Sequence, residues 1–583
     1  MAMKRQVYLN EYNLPADNNA IFFPYASGLL QAYTQQFGVI NYNYEFKPII
    51  FVRDTVEQIV KQYDNPNIIG FSTVLWNYNL SLAVAKRLKE NFPKCKIIFG
   101  GPQVELNSKI FFIEHPYIDV CVYGEGEKVF HKLLIDNVYN GIPYHKILFE
   151  KDDNTDLDEF PSPYTTGIFN ELIKLHSNVK FKGLVEYNRN CPFHCAYCFW
   201  GQPELGTKVK YHSQQYIKEE IEWLGENKIE YVFGTDANFG MFKRDLDTAK
   251  RYVEVKNKYG YPKIFRVCYG KEDNTNIFET ASILDNADLA KIVTLSVQSQ
   301  NKKVLDSVGR KNISKESFTK LQKKYSDAGI STYTEIILGL PNETRQSFLD
   351  GLEETLRSVG SNRIFIYQCQ VYKNTRLDSE EFRLKYGLIT KTRPMSEPHS
   401  AVRTKDMIGE FEEIIIGTNT LTVEEWKECA VVSWLVQLLH SFKAGYNTIK
   451  WLVSTYNISY MDIYLYLTHS ELLLIKVLWN IAEQITQGLP ENQVRPMFGT
   501  IYYEPEEILY LNICHSPTDF YTKLLGRLQV FINTHKLPYK GYIFSTDLVK
   551  MLNLDKKQIL LKEETEDWTS FAIKTIIYGG KSK

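Results

Sequence analysis

Three cysteines with the spacing of metal ligands lie close together in this chain. Cys191, Cys195 and Cys198 form the pattern C-x3-C-x2-C directly after a strand-like segment at 183–187. Three thiolates hold three irons of a cubane iron-sulfur cluster and leave the fourth iron open to an exogenous ligand. The alternative is a structural zinc site, normally closed by four protein ligands, with His194 or a distant cysteine as the fourth. The spacing favours a [4Fe-4S] cluster.

This segment resembles the radical S-adenosylmethionine (SAM) superfamily, whose motif is C-x3-C-x-aromatic-C. Tyr197 matches the aromatic position, which the resemblance places near adenine, and the likeness covers roughly residues 180–380. It implies that SAM binds the open iron and is cleaved by an electron from the cluster to give a 5′-deoxyadenosyl radical. It also implies an electron donor such as flavodoxin or ferredoxin.

Further SAM-binding residues follow from the same resemblance. Asp236 and Asn238 stand where many relatives carry Gly-Gly-Glu to receive the SAM amino group, a departure from the usual pattern. The other candidates lie on the fourth and fifth strands of the expected barrel and would serve the ribose, the carboxylate and the adenine. They are Ser296, Gln298, Arg310 and Glu335.

The first 140 residues resemble the cobalamin-binding domain that precedes the radical SAM barrel in a large subgroup. Small residues at strand ends allow a bulky corrin to approach the backbone. The candidate residues are Ser72, Thr73, Trp76, Asn77, Gly100, Gly101, Gly124, Glu125 and Gly126. The chain has no Asp-x-His-x-x-Gly sequence, so we predict base-off cobalamin without a histidine ligand and with Trp76 or Asn77 near its lower face. The alternative is a purely structural domain.

The resemblance implies an enzyme that methylates an unactivated carbon of a peptide or other natural-product precursor. One SAM molecule would supply the methyl group through cobalamin, and a second would supply the radical. A second hypothesis is a cobalamin-free epimerase or isomerase in which Cys369, at the end of the sixth barrel strand, returns a hydrogen atom to the substrate. A third is a non-catalytic iron-sulfur or zinc protein that binds a partner through its helical tail.

The elements that must position these residues suggest an α/β protein of several domains. Residues 1–150 alternate strands and helices as a Rossmann-like domain does, and acidic, proline-containing residues within 151–178 form a linker. Six strand-helix repeats in 179–392 predict a full or partial βα barrel. Residues 393–583 are expected to be mainly helical, with a capping box at Thr422 to Glu425 and a buried helix over residues 429–442.

Composition excludes several other classes of protein. The 583 residues carry 68 Lys and Arg against 69 Asp and Glu, and no basic stripe suits nucleic acid. No apolar run is long enough to span a membrane, and polar residues occupy the place of a signal peptide's apolar core. We therefore expect a cytoplasmic enzyme that binds neither nucleic acid nor membrane. Nine sparse cysteines also fit a reducing compartment.

Overall fold

The computed structural model describes most of the chain. The described residues are 4–15, 19–106, 108–150, 155–202, 205–206, 208–270, 275–395, 406–488, 497–498, 501–535, 537 and 549–557. They separate into two compact units, which are treated one at a time below. The first comprises Met1–Val293, Val371–Phe382 and Ser400–Glu412, and the second Thr294–Gln370, Arg383–His399 and Glu413–Lys583.

Strands and helices alternate through the first two thirds of the chain. In chain order the strands are β1 (Arg5–Asn13), β2 (Ala20–Phe22), β3 (Tyr44–Phe46), β4 (Ile50–Val52), β5 (Ile68–Ser72), β6 (Lys96–Gly100), β7 (Val120–Gly124), β8 (Lys146–Glu150), β9 (Lys180–Val185), β10 (Asn188–Arg189), β11 (Lys210–Tyr211), β12 (Tyr231–Phe239), β13 (Ile264–Tyr269), β14 (Ile292–Thr294), β15 (Ser331–Leu338), β16 (Arg363–Gln368), β17 (Ile389–Pro394), β18 (Phe411–Gly417), β19 (Met497–Phe498) and β20 (Ile501–Tyr502).

Helices dominate the last third. In chain order the α-helices are α1 (Tyr25–Gln35), α2 (Gly38–Asn43), α3 (Val56–Val60), α4 (Tyr78–Asn91), α5 (Ser108–Glu114), α6 (Glu127–Tyr139), α7 (Ile168–Leu175), α8 (Gln214–Glu226), α9 (Lys243–Tyr259), α10 (Thr275–Asn286), α11 (Lys302–Ser307), α12 (Lys315–Asp327), α13 (Arg345–Val359), α14 (Glu380–Tyr386), α15 (Val423–Val436), α16 (Tyr446–Tyr456), α17 (Tyr460–Thr468), α18 (Leu473–Gln487), α19 (Pro505–His515) and α20 (Pro517–Thr534). Three short 3-10 helices lie at Leu157–Glu159, Phe199–Gly201 and Arg376–Asp378, and a π-helix at Gln437–Ser441 continues α15.

The first unit contains a seven-stranded parallel sheet in the order β3-β1-β5-β6-β7-β8, with β4 also paired to β1. Its central strands are apolar and buried along nearly their whole length, as expected for a parallel sheet covered on both faces. Helix α4 starts after Asn77, whose side-chain oxygen accepts a hydrogen bond from the Val74 amide. The predicted Rossmann-like alternation is confirmed.

A second sheet of the same unit carries the cysteine segment. Its order is β13-β12-β9-β2, and the pairs of β9 with β12 and of β12 with β13 are parallel. Strand β2, from the N-terminal region, pairs with β9 through Ala20 to Phe22. The boundary at residue 150 stays a prediction, since sheet membership crosses it. Residues 151–154 of the expected linker lie outside the described residues.

The second unit holds the remaining predicted strands and the C-terminal helices. Strands β14, β15 and β16 form one sheet, in which β15 and β16 are parallel. The capping box at the start of α15 is confirmed, because Thr422 and Glu425 exchange side-chain to backbone hydrogen bonds. The predicted buried helix over 429–442 is confirmed, although its last turn is a π-helix. The α/β fold class with a mainly helical C-terminal region is confirmed.

The helices of the described part of the chain are all too short or too polar to cross a membrane.

Candidate active site

A cavity of about 370 Å³ opens at the carboxyl edge of the seven-stranded sheet. Open parallel sheets bind ligands at this edge. Six of the residues predicted to approach cobalamin line it: Ser72, Gly100, Gly101, Gly124, Glu125 and Gly126. The opposite wall comes from Asn188, Arg189 and Asn190, immediately before the first cysteine, and from Thr235 and Ala237 of β12.

Glycine is required at position 101 of this edge. The backbone there has φ +108°, and a Cβ would lie 2.5 Å from the carbonyl oxygen of Thr73. Thr73 itself is buried and donates its hydroxyl to the carbonyl of Gly100 at 2.8 Å. Thr73 thus binds neighbouring strand ends together and stays behind the cavity surface.

Trp76 and Asn77 are not among the described residues that line this cavity. Asn77 is buried and donates its side-chain amide to the carbonyls of Ser72 and Tyr12, which fixes the turn before α4. Trp76 is 46% exposed, and its indole N–H donates to the side chain of Asn13 at 3.0 Å. Their expected place beside cobalamin stays a prediction.

The cysteine loop lies in the first unit, directly beyond the cavity wall. Cys191 and Cys195 are buried, and Cys198 is half-buried. The Cys198 amide donates to the carbonyl of Cys195 at 3.1 Å, which makes a tight turn between these two thiols. His194 is engaged elsewhere, since its Nδ1 lies 2.9 Å from the carbonyl oxygen of Gly201. Tyr197, the aromatic residue of the motif, is half-buried on the same loop.

Within the described residues, no group of three or more His, Cys, Asp or Glu side chains is arranged to hold a metal ion.

Strand β12 brings two polar side chains to the base of the loop. Asp236 is buried and accepts hydrogen bonds from the amides of Tyr187 and Asn188, both at 2.8 Å. Burial raises the pKa of Asp236 to about 8, against the lowering effect of these two bonds. Asn238 donates to the Cys191 sulfur at 3.1 Å. The remaining oxygens of Asp236 and Asn238 are buried without a hydrogen-bond partner in the described structure, so they fit a ligand with amine donors.

The sequence analysis missed an ionic network at this wall. Arg189 binds Glu127 at 2.9 Å, Glu186 at 2.7 Å and Glu125 at 3.3 Å, and Lys210 also binds Glu125. Burial alone lowers the pKa of Arg189, but the three carboxylates raise it well above its usual value. The sequence contains the acidic residues in Gly-Glu-Gly-Glu and the arginine two residues before the first cysteine. Nothing in the sequence indicates that these carboxylates and this arginine form ion pairs.

The four other SAM candidates belong to the second unit. Ser296 donates its hydroxyl to the Glu335 carboxylate. Arg310 is buried and donates from Nε to Asn312 at 2.8 Å and from a terminal nitrogen to the carbonyl of Ser296. Gln298 has φ +63°, and its buried side-chain oxygen has no hydrogen-bond partner in the described structure. A strained backbone and an unpaired amide oxygen are typical of a ligand site.

Cys369 follows β16 in the second unit. Its amide donates to the carbonyl of Leu338 at 2.8 Å, and its carbonyl accepts from the Ile415 amide at 2.9 Å. The thiol is 1% exposed, and burial raises its pKa to about 12. These contacts describe a neutral, enclosed thiol.

Two family comparisons cover the regions just described. Residues 19–134 match the B12 binding domain, and residues 185–355 match the radical SAM superfamily. Both domains are therefore present in this chain. Its B12-binding domain contributes the glycine-lined edge of the cavity, and its radical SAM domain begins at Val185, just before the cysteine loop.

Two curated relatives align over most of this chain. One, from Streptantibioticus cattleyicolor, is named 2-(S-pantetheinyl)-carbapenam-3-carboxylate methyltransferase; it is 33% identical over 73% of this chain and 64% of its own length. The other is the cobalamin-dependent radical SAM methyltransferase TokK from Streptomyces tokunonensis, 32% identical over 75% of this chain and 65% of its own length. The chain therefore spans slightly less than two thirds of each relative.

A solved structure shares the fold. The radical SAM methyltransferase TsrM from Kitasatospora setae, with cobalamin and a [4Fe-4S] cluster bound, superposes with a TM-score of 0.52 over 74% of this chain and 89% of that chain. Sequence identity is 13%, so the likeness concerns the fold alone.

Proposed function

We propose that this chain is a radical SAM methyltransferase that uses a [4Fe-4S] cluster, SAM and cobalamin to methylate an unactivated carbon of a natural-product precursor. The observation that carries the proposal is the shared wall of the first unit. A cavity at the glycine-rich edge of the B12-binding sheet is bounded on its other side by Asn188, Arg189 and Asn190, which lead directly into Cys191.

When bound, the cluster and SAM supply a 5′-deoxyadenosyl radical, and cobalamin supplies the methyl group. The side chains of Cys191, Cys195 and Cys198 hold the cluster in this proposal. Asn238 and Asp236 offer their unpaired oxygens to the amino group of SAM. Exclusion of water and the positioning of one substrate C–H bond then decide selectivity.

The remaining SAM contacts in this proposal are assigned on the family resemblance alone. Arg310 is assigned to the SAM carboxylate on the family resemblance, because a guanidinium forms charge-assisted hydrogen bonds with a carboxylate. Ser296 and Gln298 bind the ribose, and Glu335 lies beside adenine. Tyr197 of the first unit is also assigned to adenine, on the family resemblance.

Both relatives are named as methyltransferases, and the S. cattleyicolor enzyme is named for a small carbapenam carboxylate. This supports a small-molecule substrate over a peptide. A donor of the flavodoxin or ferredoxin kind supplies electrons. No described contact favours the epimerase hypothesis, because Cys369 is enclosed by backbone of its own unit.

Anaerobic reconstitution tests the proposal. Full-length protein is treated with iron, sulfide and hydroxocobalamin, desalted, and then incubated with SAM, a strong reductant and a pantetheinyl carbapenam. We expect about four irons per chain, bound cobalamin, and both 5′-deoxyadenosine and S-adenosylhomocysteine. Cys198→Ala should lose iron, whereas Cys268→Ala, a half-buried cysteine of β13, should retain it. Four irons without cobalamin, or cobalamin without S-adenosylhomocysteine, would contradict methyl transfer.

A further inference from the structure

The two ends of the cysteine loop are held side by side by a short pair of strands in the first unit. Strands β10 and β11 pair antiparallel, with Arg189 directly opposite Lys210. Residues 190–209, which include all three cysteines, lie between these two cations. The position of the thiols therefore depends on how firmly this pair of residues, called the neck, is held.

Glu125 binds both sides of the neck. One carboxylate oxygen accepts a hydrogen bond from the ammonium group of Lys210, and the other lies 3.3 Å from a terminal nitrogen of Arg189. The side chain of Glu125 is 17% exposed and that of Lys210 is 6% exposed. Solvent and salt screen such shielded charges weakly, so these ion pairs hold more firmly than surface pairs do.

The same carboxylate belongs to the lip of the cavity. Gly124, Glu125 and Gly126 form the turn between β7 and α6, and all three line the cavity. Gly124 has φ +85°, a left-handed conformation that favours glycine. This backbone conformation determines the position of Glu125, the next residue. The Glu125 carboxylate thus joins a turn that lines the cavity to the neck.

We propose that Glu125 is a positioning residue that clamps the neck of the cysteine loop and couples filling of the cavity to the geometry of the iron-sulfur cluster. This inference rests on the proposed function for its second half, because it assumes that cobalamin fills the cavity. Its first half, the clamp, concerns the polypeptide alone.

Limited proteolysis tests the clamp on the full-length chain without iron or cobalamin. Trypsin cuts after Arg189, Lys208 and Lys210, and mass spectrometry measures the rate at each site. In Glu125→Gln, we expect cleavage after Lys210 to accelerate about fivefold, since a partly buried ion pair no longer opposes local opening. Glu45→Gln is the control, because Glu45 pairs with Lys47 at the far edge of the same unit. Equal rates in Glu125→Gln and wild type would overturn the clamp.

A second variant separates local opening from a general loss of fold. Lys210→Met removes the clamp from the other side, and cleavage after Arg189 should then accelerate while sites in α9 keep their wild-type rate. Acceleration at every site in both variants would mean that Glu125 supports the whole unit, which overturns a specific role at the neck.

Electron paramagnetic resonance of the reduced cluster tests the coupling. In wild type, the spectrum recorded with cobalamin should differ from the spectrum without it. In Glu125→Gln that difference should vanish while iron and cobalamin remain bound, and Glu125→Asp should restore part of it. A wild-type spectrum that is the same with and without cobalamin would overturn the coupling. So would a Glu125→Gln variant whose two spectra differ as much as those of wild type. A wild type that binds no cobalamin would refute the proposed function, and the proteolysis result would still decide the clamp.

Discussion

At the residue scale, buried polar groups of the first unit define how the cysteine loop begins. Asp236 accepts hydrogen bonds from two backbone amides just before the loop, and Asn238 donates a hydrogen bond to the sulfur of the first cysteine. Neither side chain is free to swing out, because both are almost fully buried. The approach to the thiols is therefore rigid before any ligand arrives.

Cys369→Ala should leave catalysis nearly intact. The thiol is enclosed and its pKa is raised by burial, so we assign it a packing role, and truncation should cost about 1 kcal/mol of stability. SAM cleavage and methylated product should stay within about twofold of wild type, as measured by chromatography with mass detection. Cys429→Ala, which truncates another buried thiol of the same unit, is the matched control. Continued SAM cleavage with product abolished only in Cys369→Ala would instead support hydrogen return by this thiol.

Glu220→Gln should flatten the dependence of stability on pH. Burial raises the pKa of Glu220 from 4.5 to about 8, although the Ser162 hydroxyl donates to it. Between these pH values the folded state keeps a proton that the unfolded state has released, so stability falls as pH rises. Melting temperatures at pH 5, 6.5 and 8 should decline less in Glu220→Gln than in wild type. Glu219→Gln, on the exposed face of the same helix, should keep the wild-type slope; an identical slope in Glu220→Gln would contradict the assignment.

At the element scale, the π-helix at the end of α15 completes the edge of β16. Gln437 accepts from the Ile366 amide at 3.1 Å, and Ser441 both accepts from the Ile364 amide and donates to its carbonyl. Side chains of a helix thus replace a neighbouring strand. Both side chains belong to the π-helical turn at Gln437–Ser441.

Ser441→Ala should destabilise the second unit. The variant leaves a buried backbone amide and carbonyl of Ile364 without this partner, which costs about 1–3 kcal/mol. Ser433→Ala, on the same helix, removes only a bond to the Cys429 carbonyl within the helix and should cost less. Urea unfolding followed by circular dichroism gives both values. Equal losses in the two variants would show that the strand edge does not depend on Ser441.

At the scale of the whole molecule, the first unit contains both the B12-binding sheet and the cysteine loop. The carboxyl edge of the B12-binding sheet and the start of the cysteine loop share one cavity, and ion pairs to Arg189 connect their walls. No histidine occurs among the described residues that line it.

Bound cobalamin should therefore lack a protein nitrogen ligand. After reconstitution with cob(II)alamin, we expect an electron paramagnetic resonance spectrum without nitrogen hyperfine splitting. The described lining offers no imidazole, and in the predicted base-off form cobalamin's own nucleotide base does not coordinate cobalt. Trp76→Ala should alter the cobalt signal if this residue lies at the lower face, and Trp200→Ala, which changes another aromatic residue at the cavity, serves for comparison. Nitrogen splitting in the wild-type spectrum would contradict the prediction.

The sequence alone predicted the two family domains and most of the strands. The assignment of the three cysteines as cluster ligands stays a prediction. These features are local: thiol spacing, glycines at strand ends and apolar periodicity each lie within a few residues of one another. Residues 68–72 and 96–99, for example, were identified as strands because buried parallel strands are continuous apolar runs.

The tertiary structure decided which of these residues act together. Glu125 was expected to approach cobalamin on its motif, but it binds two cations that lie 64 and 85 residues further along the chain. Asp236 was assigned to SAM, and one of its oxygens accepts hydrogen bonds from the amides of Tyr187 and Asn188, about 50 residues earlier in the chain. The pairing of β2 with β9 was also not predicted from the sequence. Such contacts depend on the folded path of the whole chain, because charge and hydrogen-bond partners are chosen by proximity in space and not by spacing in sequence.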